Sequence, residues 1–587
     1  MSDRSEIMKL EFWIPYCLLL LLRLAITLTS TGYIHPDEFF QNPEASSAFI
    51  FREANMSCLK TWEFNSPQIR SLTIPLLTTG IPFALVKSFF LGSASDLPST
   101  LAIFWGPRIM FFLMSLCMDV CVMVIGKRFS NNMHWRRCLL FLATAWPVLT
   151  FGVRSFSNTI ELDLLVVLLC VVANPAAMSY ARAIAVPVLG ALGLFTRFTF
   201  VAFAAPLALY HVFRCVYTYD AKQKTYILLP MKRCFGLVFV SVASFCMSIA
   251  ALVCSDTYLF TGEVSLSSLV IAPLNFLKYN SDPANLALHG THPRWLHLLV
   301  NLPLLALPLL PTSIINSVGS FTSEVSEKWR RGPVKALPLL CGAVIFSSMA
   351  ILSVAPHQEL RFLLPLIFPL LILSFWEDKK KTDDEEKKKD KKQRTQRRRR
   401  SVDDGCFGCL FVMWTAYNML FTCYFGFAQQ GGVIPSLMNI GERIKLSDRV
   451  DGGMTHNIIY WHTYMPPRHL LTARKTAVNV TDLASAPESR LLESIDSVID
   501  SANRKRVCEQ LWVVIPSIEK KTNEKLQQRS LEMNEVFVPH IGLDNDEMKV
   551  YKSAMFSSSS SSRSVFEKYA GLNLYHKQIG ACGDYSN

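Results

Sequence analysis

The residues best suited to chemistry are concentrated in Gly32–Glu44, which reads GYIHPDEFFQNPE and directly follows a long apolar run. This stretch places His35, Asp37 and Glu38 within four positions, with Pro36 between the histidine and the acids. Two carboxylates beside an imidazole can take up and deliver protons, as general acid–base catalysis requires. The stretch is therefore a candidate catalytic loop.

Pro36 determines how these groups are presented. Proline fixes its own φ and biases His35 away from helical geometry, so we expect an extended and rigid loop. Adjacent side chains of an extended backbone diverge, so only one of Asp37 and Glu38 should face a substrate. The alternative is a solvated loop that begins a helix, with Asp37 or Asn42 as the capping residue.

The composition indicates a helical membrane protein that crosses the bilayer many times. Hydrophobic residues make up 51% of the 587 residues, the mean hydropathy is positive, and apolar runs of about 20 residues recur along the chain. A soluble multidomain protein would not contain so many such runs. The net charge of +13 does not indicate nucleic-acid binding, because the basic residues gather between the apolar runs, as positive-inside sorting requires.

The apolar runs predict about eleven membrane spans. The first, Phe12–Leu28, follows Arg4 and Lys9, which places the N-terminus in the cytosol and indicates a retained signal anchor. Residues 70–91 are apolar but interrupted by prolines and a glycine, so we expect a helix lying in or dipping into the interface. Further spans are predicted near residues 101–126, 138–153, 159–178, 183–195, 196–213, 235–254, 295–312, 336–354, 362–376 and 406–427.

The charge pattern predicts two domains and their sides of the membrane. Residues 1–427 form the multispanning domain, in which the charged stretch 379–404 is a disordered cytosolic loop. An odd number of spans places residues 428–587 in the same compartment as the candidate catalytic loop, as a small luminal α/β domain. Its predicted elements are the strands Asn457–His462, Leu511–Ile515 and Leu572–Tyr575 and the helix Arg490–Ala502.

Three further features agree with a luminal C-terminal region. Asn479 and Asn55 each begin a glycosylation triplet on the predicted luminal side. Cys508 and Cys582 lie in the luminal region and could form a disulfide, although their connectivity does not follow from the sequence. Most of the chain's 16 cysteines lie in apolar segments, where they behave as small hydrophobic residues.

Several polar clusters fall at span ends on the same predicted side of the membrane. Charged residues there are costly if they face lipid, so we expect them to line a cavity. Carboxylates accept protons, whereas arginine and histidine bind phosphate, and this combination suits transfer from a lipid phosphate. The clusters are His35–Glu38, Arg154–Asn158 with Glu161, Thr196 and Arg197, Asp256 and Tyr258, Tyr279–His297, His357–Arg361, and Thr455–Leu471.

Three of these stretches resemble motifs of a known family. HPDEFFQ, RSFSNTIE and HQELRFLLP are similar to the HPDE, R-T-x-S-N-x-x-E and H-K-E-x-R-F motifs of glycosyltransferase family 22, the lipid-linked mannosyltransferases of the GT-C superfamily. Gln358 stands where the family commonly has lysine, which removes one candidate phosphate contact, and Ser155 replaces threonine. Three other stretches resemble the subgroup that adds the fourth mannose in GPI-anchor assembly, namely YN at 279 with NLALHGTHPRWLHLLVNLP (285–303), QQGGVIPSL (429–437) and HTYMPPRHLL (462–471).

The resemblance implies a reaction in the endoplasmic reticulum membrane. Mannose would pass from dolichyl-phosphate mannose to the third mannose of a GPI precursor, forming an α1,2 bond with inversion. Superfamily position favours Asp37 as the base, with Glu38 orienting the loop or binding acceptor hydroxyls. No metal or cofactor is expected, because cations can stabilise the departing phosphate.

The resemblance also implies a set of substrate-binding residues. Arg361 and His357 are the first candidates to hold the phosphate, although Arg361 could instead pair with Glu359 or cap a helix. The expected set is His35, Arg154, Asn158, Glu161, Arg197, His289, His292, His357, Glu359 and Arg361.

Two other classes of function were weighed against this interpretation. A transporter would place ionisable residues near mid-span within inverted repeats, and here they lie at span ends without a visible repeat. A non-catalytic scaffold has no need for a rigid acidic pair beside a cationic cluster. Within the enzymes, the alternative is another family 22 mannosyltransferase, adding the third GPI mannose or an N-glycan mannose.

Overall fold

The apolar segments predicted to span the membrane each contain a helix in the computed structural model of the protein. The structure describes residues 2–93, 96–129, 133–220, 222–223, 225–282, 284–285, 290–322, 336–376, 393–451, 454–542 and 570–580. Of the charged loop expected to be disordered at 379–404, residues 379–392 lie outside the described residues, whereas residues 393–404 are helical, so the expectation is wrong for that part. Within them, seven helices are long and apolar enough to cross a bilayer, or eight if one bent pair counts as a span. The chain is therefore a polytopic, mostly helical membrane protein.

The helices and strands follow in chain order. The first half contains α1 (Ser2–Thr29), α2 (Asp37–Phe40), α3 (Pro43–Ile50), α4 (Thr73–Phe90), α5 (Thr100–Arg128), α6 (Trp135–Ala143), α7 (Trp146–Val153), α8 (Ser157–Val172), α9 (Tyr180–Thr196), α10 (Phe200–Val216), β1 (Tyr217–Asp220) and β2 (Thr225–Leu228). The second half contains α11 (Met231–Thr261), α12 (Ala272–Asn280), α13 (His297–Asn316), α14 (Ala336–Val354), α15 (Leu360–Ser374), α16 (Gln393–Cys423), α17 (Val433–Asp451), β3 (Thr455–Tyr460), β4 (Val478–Asp482), α18 (Glu488–Lys505), β5 (Glu509–Pro516), α19 (Lys520–Gln528), β6 (Glu532–Phe537) and β7 (Leu572–Ile579).

Helix α4 differs from the interfacial helix expected at residues 70–91. It runs without a break for 18 residues and is apolar enough to cross a bilayer. The interruption seen in the sequence becomes a π-helical turn over Leu76–Gly80, which follows Pro75. A wider turn can accommodate a proline without ending the helix.

The chain divides into two compact units, each built from separated stretches. The first consists of Met1–Ala25, Trp62–Ile74 and Phe111–Met419, and the second of Ile26–Thr61, Pro75–Met110 and Leu420–Asn587. These two units do not coincide with the two expected domains, which meet at residue 427/428. The second unit includes both the candidate catalytic loop and the C-terminal region. In the first unit, α6, α8, α10, α14 and α15 contribute to one large apolar core.

The second unit contains a five-stranded sheet, in the order β4-β3-β5-β7-β6. Strand β3 pairs in parallel with β4 and β5, whereas β7 is antiparallel to β5 and β6. One face, which includes Ile459 and Val513, packs with Leu491 of α18 and Leu526 of α19. This is the α/β architecture expected of the C-terminal region, and the three predicted strands and the predicted helix are all present.

The other face of the sheet supports the candidate catalytic loop. Ile458, Tyr460 and Val514 share one apolar core with Tyr33 and Phe39. The loop and the sheet are therefore packed together within the second unit. Cys508, at the start of β5, forms a disulfide, and Cys582, the expected partner, lies outside the described residues.

Candidate active site

The backbone of the candidate catalytic loop is held by the segment that follows α16. The Gly32 N–H donates to the Gly426 carbonyl at 2.7 Å, and the Tyr33 N–H donates to the Gln429 carbonyl at 2.7 Å. A Cβ on Gly32 would lie 2.5 Å from the Phe425 carbonyl oxygen, so only glycine permits this approach. These hydrogen bonds fix where the loop leaves α1.

The extended loop expected from Pro36 is wrong, because a helical turn begins directly after it. Pro36 has φ −54° and ψ −33° and lies at the N-cap position of α2, so Asp37 and Glu38 occupy the first turn. The fixed φ of proline suits the start of a helix as well as an extended chain. The capping alternative is observed in part, since Asn42 lies at the N-cap of α3 but without a side-chain capping hydrogen bond, and Asp37 lies in the first turn of α2 rather than at its N-cap.

The two adjacent carboxylates have different environments. The Asp37 side chain is 23% exposed, whereas the Glu38 side chain is 1% exposed. Gln41 Nε2 donates to Asp37 Oδ2 at 2.5 Å. His35 Nδ1 accepts the Asp37 backbone N–H at 3.1 Å. Asp37 is thus an accessible carboxylate beside a histidine.

Glu38 is held by Arg108, a residue that sequence reasoning missed. Arg108 Nη2 lies 3.3 Å from Glu38 Oε1, and its Nη1 donates to the Ser30 carbonyl at 2.5 Å. Both ionic side chains are almost completely buried. The guanidinium therefore joins the end of α1 to α2. The available signal was a charged residue inside the apolar run 101–126.

Glu44, at the end of the same stretch, was also missed. Its carboxylate is buried and accepts the Leu59 N–H at 2.8 Å and the His469 N–H at 3.0 Å, and His469 Nδ1 lies 3.1 Å from Oε1. Glu44 thus attaches the loop to the stretch 462–471. Its place in GYIHPDEFFQNPE was the signal that could have identified it.

Tyr33 makes a second connection to that stretch. Its hydroxyl donates to the Met465 carbonyl at 2.9 Å. Burial, and then the nearby carboxylates Glu38 and Glu44, raises the pKa of Tyr33 well above its ordinary value. The phenol therefore remains a neutral donor, and this hydrogen bond is maintained at physiological pH.

In the first unit, several predicted binding residues gather around the ring of Phe362. The guanidinium carbon of Arg197 lies 5.3 Å from the ring centroid, and that of Arg361 lies 5.5 Å from it. The His357 ring lies 5.7 Å from the same ring, and His292 lies 5.4 Å from His357. The structure thus brings together arginine and histidine side chains from the end of α9, the start of α15 and the segments that precede α13 and α15.

Carboxylates accompany these cations. Arg197 Nε lies 3.6 Å from Glu161 Oε2, and Thr199 Oγ1 donates to Glu161 Oε1 at 2.8 Å. Glu359 contacts both Arg361 and His357, with His357 Nε2 at 2.5 Å from its Oε1. The pairing of Arg361 with Glu359, which the sequence left open as an alternative, is therefore present.

Replacing Arg361 by Lys is expected to impair activity although the charge is kept. The guanidinium contacts both oxygens of Glu359, and a lysine ammonium lacks the planar fork that does so. The rate of mannose transfer and the protein level should be measured together. Wild-type transfer by the Arg361→Ala variant would contradict a role in binding substrate and leave Arg361 as a partner of Glu359.

Gln358 is not placed to contact a ligand, because its side chain is 1% exposed. Its Oε1 accepts the His297 N–H at 3.0 Å, and its Nε2 donates to the carbonyls of Arg294, Ser353 and Ala355 at 3.1–3.4 Å. The ammonium of the family's common lysine also has three donors and could serve the same carbonyls. Gln358 therefore links the backbone around the start of α13 to the backbone around the end of α14. Because this side chain is buried, having glutamine in place of the family's common lysine does not imply the loss of a phosphate contact.

A small cavity lies beside Arg197 and is also lined by Arg70, Thr196 and Thr199. Arg70 was not predicted as a site residue. Its Nε lies 2.9 Å from Glu63 Oε1. The next residues are held by Asp256, whose Oδ1 accepts from Ser71 Oγ at 3.0 Å, Leu72 N at 3.1 Å and Thr73 N at 2.9 Å. Two guanidinium groups with hydroxyls form a site suited to a phosphate.

The remaining predicted residues differ in accessibility. Arg154 and Asn158 are fully buried, so neither reaches a surface that a ligand could contact in this conformation. His289 lies outside the described residues. Asn55 and Asn479 are both exposed, and Asn479 lies on the edge strand β4. Their glycosylation stays a prediction.

The predicted site residues thus fall in two groups. His35, Asp37 and Glu38 belong to the second compact unit, and the cationic residues belong to the first. Among the residues that the structure describes, no group of three or more His, Cys, Asp or Glu side chains is arranged to hold a metal ion.

Comparison with known proteins gives one family and one set of relatives. Residues 13–472 match the Alg9-like mannosyltransferase family. The chain is 30% identical over 555 residues to the GPI alpha-1,2-mannosyltransferase 4 of Homo sapiens, covering 88% of this chain and 87% of the relative. It is 28% identical to the GPI mannosyltransferase 4 of Drosophila melanogaster, covering 79% and 72%. A solved structure of ArnT from Cupriavidus metallidurans bound to undecaprenyl phosphate aligns with a TM-score of 0.46 and 13% identity, covering 89% and 95%.

Proposed function

The chain belongs to the Alg9-like mannosyltransferase family, and we propose that it transfers mannose from dolichyl-phosphate mannose to the third mannose of a GPI precursor, forming an α1,2 bond with inversion. The similarity to relatives named GPI mannosyltransferase 4 extends over most of the chain and supports this choice of acceptor. Inversion requires a single displacement and one base to take the proton of the acceptor hydroxyl.

The observation that carries the chemistry is the difference between Asp37 and Glu38. A base must come within hydrogen-bonding distance of the hydroxyl that it deprotonates, and of these two only the Asp37 carboxylate is accessible. Glu38 is buried against Arg108 and orients α2. Asp37 is therefore the proposed base.

The departing dolichyl phosphate requires positive charge rather than a proton. The cluster around Phe362 and the cavity beside it supply Arg197, Arg361 and Arg70, with His357 as a fourth donor. Fixed cations stabilise charge that develops on a leaving group. We propose that these groups perform the role that a metal ion has in other transferases, and that no cofactor takes part.

Lipid analysis of cells that lack the protein tests the whole proposal. A GPI precursor with three mannoses should accumulate and disappear when the chain is restored. Microsomes containing the chain should transfer labelled mannose from dolichyl-phosphate mannose to that precursor. A precursor with two mannoses, or a shortened N-glycan precursor, would instead assign the chain to another reaction of its family.

We propose further that the protein lies in the endoplasmic reticulum membrane with the sheet in the lumen. The basic connections between spans support this orientation, and the apolar core shared by the loop and the sheet supports the proposal that both lie on one side.

Protease added outside sealed microsomes is therefore expected to cut within residues 379–400 and to spare the C-terminal region. An Asn479→Gln substitution should remove one glycan, detected as a mobility shift, with Asn55→Gln as a parallel test. A protected 379–400 segment together with a digested sheet would reverse the orientation.

A further inference from the structure

The stretch HTYMPPRHLL (462–471) leaves the carboxyl end of β3 and lies against the candidate catalytic loop, within the second unit. The residues at its two ends, His462 and Thr472, have φ values of +54° and +45°. This left-handed region is costly for residues other than glycine, so the surrounding contacts must hold the segment in place. The carboxyl ends of parallel strands are also the usual edge for ligand binding in α/β sheets.

Polar contacts along its length fix the segment. Tyr464 N donates to Gln430 Oε1 at 3.3 Å, while the Met465 carbonyl accepts from Tyr33 and the His469 N–H donates to Glu44. Two points of the candidate catalytic loop and one point of the segment after α16 therefore determine its path.

This path places the Tyr464 ring beside the loop. Its centroid lies 5.5 Å from that of Tyr33, at 87°, and 6.4 Å from that of His35. Gln429 Nε2 donates to the Tyr464 hydroxyl at 3.4 Å, which fixes the orientation of the ring. Tyr33 is fully buried, whereas His35 and Tyr464 are only partly covered.

The position of Asp37 limits where an acceptor sugar can lie. A hydroxyl that gives its proton to Asp37 must come within about 2.6–3.2 Å of the carboxylate. His35 Nδ1 lies 3.5 Å from Asp37 Oδ1, and Tyr464 packs beside His35. The remainder of the sugar must therefore occupy the space next to this pair of rings.

We propose that Tyr464, with His35, forms the acceptor-binding surface beside Asp37, and that the apolar C–H face of a mannose residue of the glycolipid acceptor stacks on the phenol ring. Aromatic side chains provide a large and rigid contact area with a polar edge, which suits a sugar. Recognition of a glycolipid acceptor is thereby placed at Tyr464, within the stretch 462–471. The inference rests on the proposed function.

The test compares Tyr464→Ala, Tyr464→Leu and Tyr464→Phe in full-length protein in microsomes. The probes are dolichyl-phosphate mannose and a synthetic lipid-linked trimannoside. Tyr464→Ala is expected to raise the KM for the trimannoside about tenfold, since loss of an aromatic contact costs roughly that factor, and to leave the donor KM and kcat within about twofold. Tyr464→Phe should remain near wild type. Tyr180→Ala removes a phenol ring that is 51% exposed at the start of α9 and serves as the control.

Each outcome decides the question. An unchanged acceptor KM in Tyr464→Ala, or a loss confined to kcat and the donor KM, overturns the proposal and leaves Tyr464 as a packing residue. If Tyr464→Ala fails to accumulate, Tyr464→Leu keeps the apolar volume without the aromatic face and must show the same rise in acceptor KM. Wild-type protein that cannot use the trimannoside overturns the proposed function, and this inference with it.

Discussion

Replacing Asp37 by Asn is expected to lower the rate of mannose transfer by about 10²–10⁴-fold, the usual size of a general-base contribution. The substitution keeps the shape of the side chain and an oxygen that can accept from Gln41, so the fold should be unaffected. The donor KM should also be unchanged, because the proposed phosphate contacts are made by other residues. The measurement is the initial rate in microsomes with dolichyl-phosphate mannose and a trimannosyl GPI precursor.

Glu38→Gln is the matched control for that experiment. It makes the same chemical change one position later, at a carboxylate that is 1% exposed and paired with Arg108. Its effect should appear mainly in stability, with a smaller loss of rate. An active Asp37→Asn beside an inactive Glu38→Gln would exchange the two roles. Full activity in both variants and in the double variant would remove the stretch from catalysis.

The helices were predictable because a long apolar segment in a bilayer must satisfy its own backbone hydrogen bonds, and a helix does so. In the sheet, Leu511–Ile515 was found because it belongs to a strand buried along its whole length. Strand Glu532–Phe537 was missed because it is partly exposed and mixes charged with apolar residues. Strand Val478–Asp482 was missed because it is only five residues long. Whether a segment forms an edge strand depends more on packing against the neighbouring strand than on its own sequence pattern.

The candidate site was predictable only in part. The motifs identified Asp37, His357 and Arg361 as candidates, and the polar cluster at a predicted span end identified Arg197. The partners were not predictable, since Arg108 is 70 residues from Glu38 and His469 is 425 residues from Glu44 in sequence. Side-chain exposure separates Asp37 from Glu38, and exposure depends on such distant contacts.

The C-terminal region also gains a role that its sequence did not indicate. The face of the sheet that carries Tyr460 packs with Phe39, and the stretch 462–471 bonds to Tyr33 and Glu44. The sheet therefore acts as the support on which α2 is held. Substitutions in the sheet itself are expected to affect transfer through the position of α2.

Breaking the Arg108–Glu38 pair is expected to destabilise the protein by about 3–5 kcal/mol, because removing one partner leaves the other charge buried without compensation. Arg108 is 3% exposed and Glu38 is 1% exposed, so water cannot replace the lost partner. Arg108→Met should destabilise the protein more than Glu38→Leu does, since Arg108 also donates to the Ser30 and Thr27 carbonyls.

A double-mutant cycle separates the ion pair from these other contacts. Arg108→Met combined with Glu38→Leu removes both charges, so its cost should be clearly less than the sum of the two single costs. The measurement is thermal unfolding of the full-length chain in detergent, with transfer activity followed in parallel. The Lys87–Glu53 pair is the control cycle, because Glu53 is 59% exposed and pairs of that kind contribute little. Additive costs at Arg108 and Glu38 would show that the two side chains act independently, and Glu38 would then no longer be the residue that orients α2.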